Sequence, residues 1–493
     1  MVCDASTRNT ADSMTPFSLY RSAYQVPLSA ALALLLAGCA SGIQSANQSL
    51  DVAVPTAWSS ATASNGTSAA AISLAQWWQG FDDPLLTDLV VQALQTHTSV
   101  RTAQAALLQA RAQVDVQNAG LAPRVGASAS AQRGKSGGSG ASNSFQAGLD
   151  ASWEPDVWGG QRSAIAASEA DAQAAQANLG AVQVSLAAEV ALNYITLRSL
   201  QERLAIARSN LASQQETLQI SQWRLQAGLV TSLVTEQARA STAQTAAQIP
   251  ALETSLSQSR HALAVLTGQP PGALESALAD ARPVPQPADT LALAIPADTL
   301  RQRPDVRAAE QRVSAAWARV AQADAARYPD FRLSGSLSLR ALTLGALSNG
   351  ASVANALLAS VSGSLLDGGA ALAQVRVQEA SAEQVRLNYQ ATVLTALTEV
   401  EDALVALRGD RERLVQLRIA AEAANNAALL ANDRYQSGLI DFQTVLETQR
   451  TLLSTQDSVA STRASLSANH VRLYKALGGG WQPEDLLSDP DSL

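Results

Sequence analysis

Two very long stretches without proline constrain the fold of this chain more than any other feature. They run from residue 160 to 228 and from 369 to 438, and each ends at a glycine, Gly228 or Gly438. At 1.5 Å per residue, one continuous helix of this length measures roughly 100 Å. A globular core does not need helices of that length, so the sequence predicts a rod or tube of packed helices.

The two glycines lie in motifs that follow one plan, RLQAGLVTSLVTEQAR from residue 224 and RYQSGLIDFQTVLETQR from residue 434. A glycine at this place supplies the left-handed backbone that ends a helix. Thr231, Ser232 or Asp441 would then cap the following helix. Each motif therefore predicts the tip of a hairpin of two helices.

The two halves of the chain also correspond elsewhere, since Pro123 matches Pro329 at nearly the same separation as Gly228 and Gly438. A nearly constant separation indicates an internal duplication, whose unit is helix, strand pair, long helix, tip and returning helix. The predicted segments are a signal peptide (1–38), a lipid-anchored tether (39–72), a first repeat (73–270), an equatorial linker (271–303), a second repeat (304–480) and a C-terminal tail (481–493).

Four short segments alternate apolar with small polar residues, the pattern of strands with two different faces. The alternation is clear in 144–153 and 331–340 and weaker in 125–132 and 357–365. A half-buried soluble sheet gives the same pattern, but serine-rich polar positions suit a water-filled lumen. Four strands cannot close a barrel, and lipid does not tolerate unpaired edges, so several chains must share one barrel. Three chains would give twelve strands.

The amino terminus has the regions of a secretory signal, with Arg21 before an apolar run that starts at Leu28. The LAGC motif at 36–39 resembles the lipobox of bacterial lipoproteins, in which Cys39 becomes the lipidated first residue. Ala-Ser follows Cys39 in place of the aspartate associated with inner-membrane retention, so outer-membrane lipid is the expected destination. Met14 is an alternative start. A mature chain from Cys39 contains no methionine and one cysteine, which excludes an internal disulfide.

Charge and residue types point away from nucleic acid, cofactors and catalysis. The net charge is −8 and the basic residues are scattered, so no nucleic-acid footprint is expected. The histidines, His97, His261 and His470, lie in or beside helices, where packing roles are more common than metal or catalytic roles. Glu399 and Asp402 share a helix face, which we interpret as solvated. No catalytic residue, metal site or cofactor is predicted.

Several segments, spread from Trp77 to Trp481, carry a specific resemblance. Among them are QWWQGFDDPLLTDLV, LRQRPDVRAAEQRV, ARYPDFRLSGS and LYKALGGGW. In this order they resemble the TolC-like outer-membrane efflux proteins, in the NodT-type lipoprotein branch that serves RND pumps. The resemblance implies a mixed α and β membrane protein. Three chains would share a twelve-stranded transmembrane β-barrel and a twelve-helix periplasmic α-barrel.

The resemblance also implies a periplasmic gate near the second tip. Glu447 and Arg450 match the place where the family often carries an aspartate and an arginine, and a threefold ring of Glu447 would favour cations. Thr444 and Val234 stand where relatives carry further acidic residues, so the acidic gate is expected to be weaker here. The alternative is that Glu447 is a solvated helix residue paired with Arg450.

The tips themselves are the expected docking site for a periplasmic adaptor protein, because apolar residues exposed at the end of a rod need an explanation. The alternative is that these residues pack between neighbouring hairpins. The residues are Gly228, Leu229, Val230, Gly438, Leu439 and Ile440.

The predicted function is a non-enzymatic export duct, driven by an inner-membrane RND pump and passing drugs or other small toxic compounds to the exterior. One alternative is the outlet of a type I protein-secretion system, and another is a structural coiled-coil lipoprotein. A copper or silver exporter is disfavoured because the mature chain has no methionine.

Overall fold

The computed structural model describes residues 58–59, 74–135, 137–138, 140–287 and 297–481. All of them belong to one compact unit, Val52–Leu493. The predicted signal peptide, Cys39, most of the predicted tether and the tail beyond residue 481 lie outside the described residues.

Two helices of 67 residues dominate the molecule, and each is followed by a returning helix of 35 residues. The predicted lengths of the hairpin arms are therefore confirmed. Short 3-10 segments, of which Leu74–Phe81 is the longest, connect the main elements. The α-helices are α1 Pro84–Thr96, α2 Thr98–Ala119, α3 Gly160–Gln226, α4 Ser232–Leu266, α5 Pro304–Ala325, α6 Ala370–Gln436 and α7 Phe442–Ala476.

Both long helices begin with the same local arrangement, a left-handed glycine preceded by an aspartate. A left-handed glycine, Gly159 or Gly369, precedes the first turn. Upstream of it, the carboxylate of Asp156 accepts two backbone N–H groups of the first turn of α3. The carboxylate of Asp367 accepts the backbone N–H groups of Gly369 and of Ala371 in the first turn of α6. These hydrogen bonds hold the pKa of Asp367 below its ordinary value. Each carboxylate also compensates the positive end of the helix dipole.

Four antiparallel strands form one sheet, and they are β1 Arg124–Gly134, β2 Ser142–Trp153, β3 Asp330–Ala341 and β4 Val353–Ser362. Their order in the sheet is β1-β2-β3-β4, which leaves β1 and β4 as its edges. The prediction for the fourth strand was wrong in its bounds, because β4 starts earlier than residue 357 and ends before residue 365. Its pairing with β3 ends at Asp330 opposite Ser362, so later residues have no partner although the alternation continues.

The register gives the sheet one apolar and one polar face. Ala127, Leu149 and Leu337 are cross-strand neighbours on the apolar face. One residue along, Asp150 and Ser336 are neighbours on the other face, which also carries a serine row in β3. A transmembrane strand needs this separation, with lipid on one side and water on the other.

Helix α3 is the centre of the helical packing and contacts α1, α2, α4, α5 and α7, while α5 packs on both long helices. One window of α3 is long and apolar enough to cross a membrane, but 56% of it is buried inside the molecule. Its apolar character is thus accounted for by helix packing.

Two apolar cores lie where the extra helices pack on the hairpins. In the first, Trp77 stacks on Tyr474 at a centroid distance of 5.4 Å. The second surrounds Val400 and Leu407. Trp58, from the predicted tether, packs on this second core, and the backbone N–H of Ser59 donates to α6.

A buried arginine ties the linker to the second repeat. Arg303 is 6% exposed and its guanidinium binds Asp305, Glu399 and the carbonyl of Ala476. Glu399 lies on a solvated face, as interpreted from the sequence, since 47% of its side chain is exposed, and it forms an ion pair with Arg303 in addition. Its partner is 96 residues away in the sequence, and helix periodicity alone does not reveal such a contact.

Candidate functional site at the hairpin tips

Both tips have the backbone geometry that the glycines predict. Gly228 has φ +74° and Gly438 has φ +75°, both in the left-handed region. The N–H of Leu229 donates to the carbonyl of Arg224 at 2.8 Å, and the N–H of Leu439 donates to that of Arg434 at 2.9 Å. These are the closing bonds of Schellman caps, so the two tips end their helices identically.

The helices that leave the tips are capped differently. Thr231 occupies the cap position of α4 but makes no side-chain hydrogen bond there. Asp441 caps α7, and its carboxylate accepts from both the hydroxyl and the backbone N–H of Thr444. The hydroxyl and then the backbone hydrogen bond lower the pKa of Asp441. Thr444, predicted as a gate residue, thus has a defined role in the second tip.

A small apolar cluster holds the two tips together. Tyr435 and Phe442 meet edge to face at a centroid distance of 5.8 Å. The buried members of the cluster are Ala238, Ala431, Tyr435, Phe442, Val445 and Leu446, with Leu218, Ile220, Val234 and Ile440 packed against them. Val234, predicted as a gate residue, therefore contributes to packing between the tips.

One arginine of the first hairpin clamps the second. The guanidinium of Arg224 donates to the backbone carbonyl of Tyr435 at 2.6 Å and lies 4.6 Å from the centroid of its ring. The hydroxyl groups of Ser221 and Tyr435 are 3.3 Å apart. Tyr435 is 2% exposed, so these contacts form in a largely desolvated place where hydrogen bonds are strengthened.

Above this clamp, α3 and α7 meet along a polar seam. Arg203, Asn210 and Thr217 are spaced by seven residues on α3, and they bind Asp457, Gln456 and Gln449 of α7. The donor–acceptor distances are 2.6, 2.9 and 2.9 Å. When the two helices separate, water replaces the partners in these hydrogen bonds. The free energy needed to separate this polar seam is therefore lower than that for an apolar contact of the same area.

The predicted gate residues of α7 have exposed side chains. Glu447 and Arg450 are exposed, and in the described part of the chain they do not form an ion pair with each other. Arg450 lines a groove of about 730 Å³ between α3, α4 and α7, together with Arg203 and Asp457. The structure therefore groups Glu447 and Thr444 on one exposed helix face and places Val234 elsewhere.

The docking residues divide into two pairs. Leu229 is 68% exposed and Leu439 is 74% exposed, whereas Val230 and Ile440 are half-buried. Ile440 packs on the tip cluster, which explains its lower exposure. The apolar surface at the end of the hairpins is thus formed by two leucines next to two glycines.

Sequence reasoning missed the clamp. Arg224 and Tyr435 both lie in the matched tip motifs, but they do not occupy matching positions. The one available signal was the tyrosine itself, which stands in the second motif where the first has Leu225. Within the described residues, no group of three His, Cys, Asp or Glu side chains could hold a metal ion.

The comparisons with known proteins agree on one fold. The sequence profile of the family "Outer membrane efflux protein" matches residues 89–269 and 295–479. The chain is 31% identical to nodulation protein T of Rhizobium leguminosarum bv. viciae, covering 85% of this chain and 87% of the relative. It is 33% identical to the pyoverdine export outer membrane protein OpmQ of Pseudomonas aeruginosa, covering 92% and 96%.

Among solved structures, the outer-membrane channel OprN superposes with a TM-score of 0.81 at 36% identity, covering 88% of this chain and 99% of that one. The predicted fold class is confirmed: a long-helix periplasmic α-barrel joined to a transmembrane β-barrel, to which each of three chains contributes four strands. The chain belongs to the outer membrane efflux protein family, and its place is the outer membrane, with a large periplasmic portion.

Proposed function

We propose that this protein is the outer-membrane outlet of a tripartite RND-type efflux system, which passes drugs or other small toxic compounds from the periplasm to the exterior. The observation that carries the proposal is the combination, in one chain, of two 67-residue helices with a sheet of one apolar and one polar face. Such a chain supplies both a periplasmic tunnel and part of a membrane pore. It acts as a passive duct and not as an enzyme.

The open edges of the sheet support assembly as a homotrimer. β1 and β4 each leave one row of backbone groups unpaired, and a membrane does not tolerate such edges. Pairing β4 of one chain with β1 of the next closes the barrel without an edge. Three chains then give twelve strands around one lumen.

The tips are the proposed docking surface for a periplasmic adaptor protein, which would connect the duct to the inner-membrane pump. Leu229 and Leu439 project from left-handed glycine turns and expose most of their side chains. An adaptor that covers them removes roughly 25 cal/mol of unfavourable hydration per Å² of apolar surface. Gly228, Val230, Gly438 and Ile440 shape and support this surface.

We further propose that the tips form the gate. The clamp of Arg224 on Tyr435 holds the second hairpin against the first, and docking of the adaptor separates them. Glu447, with Thr444 beside it, would then line the aperture as a ring of three carboxylates, while Arg450 stands one turn further along the tunnel. Val234 supports closure by packing in the tip cluster.

Cys39 is the proposed site of lipidation, and the acyl chains would anchor the mature amino terminus in the outer membrane. A Cys39→Ala variant is expected to lose incorporation of radiolabelled palmitate. Incorporation at the wild-type level would contradict the assignment.

The proposed function is tested by accumulation of ethidium and a panel of antibiotics in a strain deleted for the gene. A plasmid copy of the wild-type gene is expected to lower accumulation to the parental level. A copy with Gln443→Cys should do so only after reduction, because disulfides across the trimer axis hold the tips closed. The matched control is Thr451→Cys, on an exposed position further along α7. Export through an oxidised, crosslinked Gln443→Cys trimer would overturn the gating proposal.

A further inference from the structure

The end of the sheet that carries the hairpin turns contains only positive charge. Between residues 125 and 149 and between 333 and 366, the only ionisable residues are Arg133, Lys135 and Arg340. The whole chain has an excess of acidic residues, 42 against 34. This end of the molecule is therefore positively charged, whereas the whole chain has a net negative charge.

The strand register places Arg340 on the polar face. Arg340 lies opposite Gln146, two rows from Ser338 and Gly148 toward the hairpin turn, and it shares its face with Ser336 and Asp150. The apolar face must contact lipid, so the polar face lines the lumen. Three chains then place a ring of three Arg340 side chains on the lumen wall.

Arg133 lies on the other face. Its cross-strand partner is Asn143, and alternation from there places it with Phe145 and Ala131. It is also three residues nearer the hairpin turn than the row of Arg340. Arg133 and Arg340 thus have the same charge near the same end of the sheet, but only Arg340 faces the water-filled side.

Arg340 differs in its ion pairing from Arg332, which lies at the opposite end of β3. Arg332, near the helices, forms an ion pair with Glu154. Within the described residues, Arg340 has no ion-pair partner, and its side chain is exposed. The nearest carboxylate along the lumen face is that of Asp150, four residues away in register, or roughly 13 Å. The charge of Arg340 therefore acts on the lumen uncompensated.

From these observations we propose that the ring of Arg340 side chains makes the external mouth of the barrel an anion-concentrating filter. It favours the passage of small inorganic and organic anions and hinders the entry of cations from outside. The inference rests on the proposed channel function and adds a charge selection at the exit. Its range is set by screening, about 8 Å from the wall at physiological ionic strength and about 30 Å at 0.01 M.

The test is the zero-current potential of the purified trimer in a planar bilayer under a potassium chloride gradient. Arg340→Gln and Arg340→Glu are compared with wild type, and Arg133→Gln is the matched control from the lipid face. Each is measured with the native tip and with Arg224→Ala, which relaxes the periplasmic restriction. At about 0.01 M salt, we expect the chloride-to-potassium permeability ratio to fall about twofold in Arg340→Gln. Arg340→Glu should lower it further, and Arg133→Gln should shift it less.

The two ways in which the experiment fails are distinguishable. Channels that conduct normally but keep the wild-type permeability ratio in both Arg340 variants, with either tip, would overturn the anion filter alone. A wild-type trimer that carries no current with either tip would overturn the channel function, and the filter with it.

Discussion

At the scale of single residues, the clamp on Tyr435 combines two interactions of Arg224 with different geometric demands. The hydrogen bond to the carbonyl is directional, while the contact with the ring tolerates small displacements. A hydrogen bond from a charged donor contributes about 1.5–3 kcal/mol net. Three such clamps per trimer would hold the tips closed by several kcal/mol, an amount that docking of an adaptor could offset.

We expect Arg224→Ala to raise the conductance of the purified trimer and the uptake of large antibiotics, because the carbonyl and ring of Tyr435 lose their partner. Tyr435→Phe should have a smaller effect, since it removes only the contact with the hydroxyl of Ser221. Arg239→Ala is the control: this arginine forms an exposed ion pair near the same tip. Equal conductance of the Arg224 and Arg239 variants would exclude the clamp.

A second residue-scale prediction concerns Tyr194, which is buried and whose hydroxyl donates to Asp83 at 2.6 Å and accepts from Arg198 at 2.9 Å. Tyr194→Phe leaves both partners short of a hydrogen bond and should lower the free energy of unfolding by about 1–3 kcal/mol. Thermal unfolding in detergent measures this change. Tyr328→Phe, at an exposed ring, is the control.

The same tyrosine predicts a loss of stability in alkali. Burial, and then the hydrogen bond to Asp83, raise the pKa of Tyr194 to about 12. The unfolded value is near 10, so the stabilisation is complete below about pH 10 and is lost as the pH rises to about 12. The unfolded chain releases a proton there that the folded chain keeps. In Tyr194→Phe this part of the alkaline destabilisation should disappear.

At the scale of elements, the contact between α3 and α7 changes in chemistry along its length. Near the sheet-proximal extra helices the contacts are apolar, as around Trp77. Toward the tips they form the polar seam. The hairpins are therefore joined firmly at one end and reversibly at the other, which suits a gate at the tips.

Replacing one hydrogen-bonded pair of the polar seam by apolar side chains should make the tips harder to open. We expect Thr217→Val with Gln449→Leu to reduce ethidium efflux severalfold without reducing the amount of folded trimer. Thr242→Val removes a hydroxyl that bonds only within α4 and should leave efflux unchanged. Full efflux by the double variant would show that the seam does not separate during transport.

Glycine has opposite roles at two places in the second hairpin. Gly438→Ala places a side chain on a left-handed residue and should cost about 1–2 kcal/mol of stability. Gly409 is exposed within α6, and its added methyl group would meet open space. Gly409→Ala should stabilise the chain by roughly 0.5–1 kcal/mol. Unfolding midpoints of the two variants check the opposite signs.

The helices and strands could be predicted from the sequence because their signals are local. Contacts between residues far apart in the chain could not be predicted in this way. The long helices and their left-handed glycines follow from residues that are close in the chain. The end of β4 depends on where its partner strand ends, and alternation alone could not indicate it. The clamp joins residues 211 apart, and the ion pair of Glu399 with Arg303 joins residues 96 apart. These contacts appear only when the two repeats are packed together.

At the scale of the whole molecule, the trimer and the bilayer decide which substitutions the sheet tolerates. Leu357 and Leu358 are adjacent in β4 and both exposed in the single chain, but they lie on opposite faces. We expect Leu357→Arg to destabilise the assembled barrel by about 2–4 kcal/mol, because it places a charge in lipid. Leu358→Arg faces the lumen and should assemble normally.

The measurement is native mass spectrometry of the detergent-solubilised protein, which should show three chains for the wild type and for Leu358→Arg. Leu357→Arg should give a reduced proportion of trimer. The reverse order of the two variants would exchange the lipid and lumen faces of the sheet. It would also move Arg340 out of the lumen.

The duplication within each chain doubles the number of hairpin tips in the trimer. Gly228 and Gly438 form tips with the same cap, the same positive φ and an exposed leucine at the same place. A ring of three chains therefore presents six nearly equivalent tips, arranged with approximate sixfold symmetry although the assembly has only three subunits. A partner that recognises one tip finds twice as many sites as there are chains, so a full ring of bound partners holds six copies to three.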